Sequence, residues 1–160
     1  MKINNSFKLI IALVVSEGAG IIGSVFTVSV IPAWYATLAK PTLNPPSWIF
    51  SPVWTILYLL MGIAAFLVWR EGLEKKNVKR ALWIFIIQLV LNALWSIIFF
   101  GFHNLGGAFI EIIFMWLAIA WTMFVFSKIS RPAMYLLLPY IAWVSFATYL
   151  NYAIWMLNTF

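Results

Sequence analysis

The sequence predicts an all-α integral membrane protein, a bundle of five transmembrane helices, and two observations carry that expectation. Of the 160 residues 65% are hydrophobic and only 9% are charged, with a mean hydropathy of +1.02. A soluble domain is about half apolar and about a quarter charged, so this chain has too little polar surface to cover itself in water. The second observation is recurrence: apolar runs of about 20 residues, the length that crosses a hydrocarbon core, fall roughly at 7–31, 48–69, 81–102, 105–126 and 134–157.

The breaks between these runs have recognisable chemistry. Ile31-Pro32 closes the first, since the residue before proline is pushed out of the helical region. A charged loop over 70–80 follows the second, His103-Asn104 with Gly106-Gly107 forms a tight turn after the third, and a short basic stretch over 127–132 precedes the fifth. Connections this short leave one domain over 1–160, without the internal repeat that marks many secondary transporters. The first run has a basic start like that of a signal peptide. It is too long for one and lacks an Ala-x-Ala site before Pro32, so it reads as a retained helix.

Pro52 is expected to open the regular part of the second helix with Ser51 as its cap, and Pro139 to kink the fifth and widen the bundle beside Trp143.

A net charge of +6 would suggest nucleic acid in a soluble protein; in a membrane protein it reports orientation, and no nucleic-acid partner is expected. Lys2, Lys8, Arg70, Lys75, Lys76, Lys79, Arg80, Lys128 and Arg131 fall on the side of the N-terminus, and Lys40 alone on the other. Basic residues gather on the cytoplasmic side. The N-terminus is therefore expected in the cytoplasm, with the first loop and the C-terminus outside. The chain has no cysteine, which removes disulfides, thiolate nucleophiles and Cys-based metal sites together. A single histidine, His103, makes no metal site and reads as a turn residue.

The loop from Trp34 to Trp48, running into Pro52-Val53-Trp54, is rich in proline and tryptophan. Indoles suit a membrane–water boundary and prolines stiffen a connection that lacks regular hydrogen bonds. It reads as a structured lid.

Within the helices, three faces mix flat aromatics with amides and hydroxyls at i, i+3/i+4, i+7 spacing. They are Trp54, Tyr58, Met61 and Ala65; Gln88, Asn92, Trp95 and Phe99; and Tyr140, Trp143, Ala147 and Leu150 with Asn151 beside them. Such faces build either an aromatic core or a pocket for a large planar apolar ligand. The amides tilt the reading toward a pocket, because Gln88 and Asn92 are costly against lipid, although helix–helix hydrogen bonding retains amides equally well. In the first helix Ser16, Gly20 and Ser24, with Gly23 and Thr27 alongside, form a small-residue stripe of the kind that packs helix on helix. Glu17 and Glu111 lie inside spans, where a carboxyl is either functional or a neutral or hydrogen-bonded helix tie. No phosphate-binding loop, nucleophile–base pair, metal cluster or dinucleotide motif accompanies them.

Trp34-Tyr35, Lys40-Pro41, Pro45-Pro46, Trp48, Pro52-Val53-Trp54, Leu57-Tyr58 and Met61-Gly62, followed by Gln88-Leu89, Leu91-Asn92, Trp95, Phe99-Phe100-Gly101, Glu111, Pro139-Tyr140, Trp143, Phe146-Ala147 and Leu150-Asn151, strongly resemble the tryptophan-rich sensory protein/translocator protein family. The resemblance covers nearly the whole chain. It implies a five-helix bundle, usually dimeric, in a prokaryotic cell membrane, that needs no cofactor and binds porphyrins and other tetrapyrroles in a cavity beneath the first loop. It also implies benzodiazepine and isoquinoline-carboxamide drugs as ligands, and sterols in animal members. The ligand-binding residues it implies are Tyr35, Pro45, Trp54, Tyr58, Asn92, Trp95, Phe99, Trp143, Ala147 and Leu150. If the protein is instead a light- and oxygen-dependent porphyrin-degrading enzyme, as some bacterial relatives are, Trp54 and Trp143 are the candidate catalytic residues; a transporter is the third reading. The chain departs from the family pattern at Leu43, where a Trp is usual, at Val30 and Ala33, where animal members carry charges, and after Tyr152, where no Lys or Arg follows to complete the animal cholesterol motif.

Cysteines introduced at Thr42 and at Asn77 are expected to react with an impermeant thiol reagent from opposite sides of the membrane. Labelling of both from one side overturns the topology.

Overall fold

The computed structural model describes residues 4–159, in which five helices are long and apolar enough to cross a membrane. They are α1 (Asn5–Thr27), α2 (Phe50–Trp69), α3 (Lys76–Ser96), α4 (Leu105–Ser127) and a last span divided into α5 (Arg131–Leu136) and α6 (Leu138–Thr159). Asn4 caps α1 by accepting from the Ser6 amide, and Asn104 caps α4 by accepting from the Gly107 amide at 2.8 Å. His103 carries the turn before α4 with φ of 53°.

Several boundaries differ from the sequence expectation. α3 begins at Lys76 rather than near 81, because Lys and Arg are good helix formers and the helix runs on past its apolar stretch. α1 stops at Thr27, and the chain turns into a π-helix, Ile31–Tyr35, in which the Tyr35 amide donates to Val30 O across five residues. A second π-helix, Ile97–Gly101, continues α3. Ser51 is not the cap of α2. A 3-10 turn, Ser47–Ile49, leads straight into Phe50, and Pro52 sits in the first helical turn, where a missing N–H removes no intrahelical bond.

Pro139 acts as expected. It offers no amide to the carbonyl of Tyr135, and the helix is interrupted at Leu137. Before the break α5 packs on α2 and α4; beyond it α6 lies chiefly against α4 and leaves α2. α1 packs on α2 and α3. The main core, including Met61, Ala64, Val68, Phe85, Ile112, Met115, Phe126 and Tyr140, fills the bundle toward the end where Arg70, Lys75 and Lys128 emerge. A second cluster of Tyr35, Phe99, Phe100, Ala108 and Ile154 closes the other end.

The connection between α1 and α2 folds across that second end. Trp34 stacks on His103 with ring centroids 4.1 Å apart, Tyr35 donates to Asn44 Oδ1 at 3.0 Å, and Lys40 lies over the Tyr35 ring. Asn158 fastens the loop to the last turn of α6: its Oδ1 accepts from the Ala39 amide at 3.0 Å and its Nδ2 donates to Ala39 O at 2.9 Å. Thr42 and Asn77 therefore lie at opposite ends, and so does Lys40 relative to the other basic residues described; Lys2 lies outside the described residues.

The backbones of α1 and α2 approach closely at Gly62, where an added Cβ would stand 2.9 Å from Leu13 Cα. Gly62→Leu is expected to destabilise the bundle by about 1–3 kcal/mol, the scale of overpacking. Gly18→Ala, with nothing within 4 Å of its new methyl, should be neutral or slightly stabilising through helix propensity. Chemical denaturation in detergent, monitored by circular dichroism, ranks the two.

Candidate ligand cavity

A cavity of about 330 Å³ lies under the loop, between α1, α2, α6 and the loop-side end of α3. Its aromatic lining is Phe50, Trp54 and Tyr58 from α2, Trp95 from α3, Phe99 and Phe100 from the second π-helix, Trp143 from α6 and Tyr35 from the loop. Ala147, Leu150, Asn151 and Ile154 complete the α6 wall. Divergence of α6 from α2 beyond Leu137 opens the space, and the two π-helices deliver Tyr35 and Phe99 to its roof. Trp54 stacks on Tyr58 at 5.6 Å between centroids, Trp95 packs on Phe99 at 5.0 Å, and Phe50 meets the edge of Trp143 at 6.1 Å. Burial pushes the Tyr35 phenol above its ordinary pKa, and the hydrogen bond to Asn44 partly offsets it.

Below the cavity a chain of hydrogen bonds crosses three helices. The Tyr58 hydroxyl donates to Asn92 Oδ1, Asn92 Nδ2 donates to the Tyr140 hydroxyl at 2.9 Å, and Tyr140 donates to Gln88 Oε1 at 2.8 Å. A second tie joins Trp95 Nε1 to Asn151 Oδ1 at 3.0 Å, while Asn151 Nδ2 donates to Leu105 O.

The two readings that helical spacing left open divide along the helices. Met61, Ala65, Gln88 and Tyr140 belong to the core, whereas Trp54, Trp95, Phe99, Trp143, Ala147 and Leu150 face the cavity. Two residues implied by the resemblance lie outside the lining. Asn92 stands behind Tyr58 as its hydrogen-bond partner, and Pro45 sits in the loop, where its carbonyl accepts from Asn44 Nδ2. The small-residue stripe of α1 packs as expected at Ser16, which is fully buried, at Gly20, against the Tyr58 ring, and at Gly23, against Ser96 of α3; Gly20, Gly23, Ser24 and Thr27 also line the cavity. An added Cβ at Gly20 would collide with the Tyr58 ring, 2.6 Å from Cδ2; the glycine makes room for an aromatic wall.

Neither intramembrane carboxyl is a hydrogen-bonded tie. Glu111 is buried with both oxygens unpartnered among the described residues, and Glu17 borders the cavity with a buried, unpartnered Oε1. Glu17 and Phe50 are lining residues that the periodicity did not connect to a pocket, because α1 carries no aromatic face and Phe50 precedes the regular apolar pattern. No cluster of three or more potential metal-ligating His, Cys, Asp or Glu side chains occurs among the described residues.

The TspO/MBR family model matches residues 10–156. The chain belongs to this family. It is 45% identical over 139 residues to a tryptophan-rich protein TspO of Chlorobaculum tepidum, covering 87% of this chain and 88% of that protein. Similarity extends to the human translocator protein, 42% identical over 127 residues (78% and 75% of the two chains), and to a tryptophan-rich sensory protein of Cereibacter sphaeroides, 40% identical over 125 residues (78% and 77%). Membership of the TspO/MBR family and five apolar helices make this an integral membrane protein.

Asn92→Leu is expected to cost about 1–3 kcal/mol, because it leaves the buried Tyr58 donor without an acceptor. Loss of denaturation midpoint, larger than for Asn158→Ala at the exposed loop contact, checks it.

Proposed function

We propose that this chain is a membrane receptor or sensor that takes a large, planar, apolar molecule of the tetrapyrrole class into the cavity under its first loop. The single observation that carries the reading is convergence: Trp54, Tyr58, Trp95, Phe99 and Trp143, from three helices and a π-turn, face one cavity of about 330 Å³, within the usual range of small-molecule sites. Flat rings supply contact area to a flat ligand, and sparse polar groups orient it. The sensory designation of the Cereibacter sphaeroides relative agrees with a receptor role. The same reading includes benzodiazepine-like and isoquinoline-carboxamide drugs as cavity ligands and a homodimer as the working assembly. The asymmetry of the basic residues supports a cytoplasmic N-terminus and an outer loop as part of this reading.

A degrading activity is the second reading, favoured by the placement of two indoles, Trp54 and Trp143, on the wall of one cavity. Porphyrin titration of the purified protein, followed by quenching of Trp fluorescence, tests the receptor. Unchanged pigment after illumination in oxygen supports it, and a modified pigment that depends on both indoles supports the enzyme.

Trp54→Phe and Trp143→Phe each leave a smaller ring and should weaken porphyrin binding modestly, by up to about 1.5 kcal/mol, the worth of a whole aromatic contact, and the double variant strongly, with the circular dichroism spectrum preserved. A folded double variant that binds as tightly as wild type overturns the pocket assignment.

A further inference from the structure

The basic end of the bundle carries more charge than the chain itself neutralises. Lys8, Arg70, Lys75, Lys76, Lys79, Arg80, Lys128 and Arg131 emerge there, against the carboxylates of Glu71 and Glu74 alone. Among the described residues one ion pair forms, Arg70 Nε to Glu71 Oε1 at 3.9 Å, and both acids belong to the connection between α2 and α3. From Lys75 to Trp83, and again from Trp121 to Tyr135, the chain has no acid. At the start of α3 the bases oppose the helix dipole, whose positive end favours acids.

Three of these bases have an exposed aromatic four residues away, on the same helix face and a turn farther into the span. They are Lys79 with Trp83 on α3, Lys128 with Phe124 at the end of α4, and Arg131 with Tyr135 on α5. Trp83 is 70% exposed, Phe124 61% and Tyr135 56%, so these rings point outward. The Lys128 ammonium lies over the Phe124 ring, 5.0 Å from its centroid. α4 packs on both α3 and α5, which sets the three pairs along one arc of the perimeter. Membrane orientation requires an excess of bases on one side; it does not require a base to stand above an outward ring.

We infer that this arc, from α3 through α4 to α5, is a binding surface for anionic phospholipids: the bases hold the headgroup phosphate, and the rings lie against the glycerol esters below it. The match is one of charge and of depth. Aromatic rings suit the interfacial layer of a bilayer, and one helical turn, about 5.4 Å, separates base from ring. A second copy of the chain on this arc would set bases against bases, and a soluble anion would leave the rings uncovered. The surface is separate from the cavity under the loop and is independent of what that cavity binds.

The purified full chain in detergent is incubated with equal amounts of phosphatidylglycerol and phosphatidylcholine of identical acyl chains and repurified, and the retained lipids are counted by mass spectrometry. Phosphatidylglycerol is expected to be enriched about fivefold or more, the effect of a single basic residue near an anionic surface, and the enrichment to fall at about 1 M salt through screening. Lys79→Gln, Lys128→Gln and Arg131→Gln together should abolish the enrichment while retention of phosphatidylcholine and the circular dichroism spectrum hold; Lys79→Gln alone should lie between. Trp83→Leu, Phe124→Leu and Tyr135→Leu together should lower retention of phosphatidylglycerol. Lys40→Gln, at the other end of the bundle, should change nothing. Equal retention of the two lipids by wild type, an enrichment that survives the triple glutamine variant, or its loss in Lys40→Gln overturns the proposal. So does displacement of the lipid by an excess of glycerol phosphate, which has the headgroup chemistry and no acyl chains, or undiminished retention in the leucine variant.

Discussion

A bilayer interior supplies no water to satisfy polar side chains, so the amides and phenols of α2, α3 and α6 have only one another. The bonds running from Tyr58 through Asn92 and Tyr140 to Gln88 answer that constraint, and the architecture of the cavity follows from where they lie. They clamp the three helices at one depth, below which Met61, Ala65 and Phe126 close into a dry core. Above that depth α6 is free to swing away after the break at Leu137, and the resulting space is bounded by rings. Floor and cavity are two sides of one tie, and Tyr58 belongs to both.

Packing on α1 serves this arrangement. Glycine at position 62 of α2 lets the two backbones approach near Leu13, and glycine at position 20 of α1 leaves the volume that the Tyr58 ring occupies. Small residues are used here for two ends: close contact between backbones, and the absence of a side chain where an aromatic must stand. The polar residues of the same stripe are divided likewise, with Ser16 enclosed and Ser24 and Thr27 at the cavity wall.

Much of the fold was legible because hydropathy in a membrane protein is an almost direct readout of environment. The spans were visible as apolar runs, the break in the last as Pro139, and the lid as a cluster of indoles and prolines. The misplaced start of α3 shows the limit of that signal: hydropathy marks the hydrocarbon boundary, while the helix obeys backbone propensity and continues through Lys76, Lys79 and Arg80. The aromatic faces of the site were legible from periodicity. Their division into core and cavity was not, since spacing gives the face of a helix and not the depth at which its neighbour departs. Asn92 and Pro45 illustrate the same gap. Both stand close in sequence to lining residues, yet one lies behind the wall and the other in the loop. Gly20 packs on the Tyr58 ring as its composition suggests, but that the same stripe also walls a cavity, as Ser24 does, is not legible from small residues alone.

The paired bonds between Asn158 and Ala39 have a practical corollary for handling the protein. They seat the loop on the final helical turn, so whatever is fused after Thr159 emerges at the rim of the lid. A purification tag or reporter placed there lies beside the loop, whereas the same fusion at the N-terminal end lies across the thickness of the bundle from it.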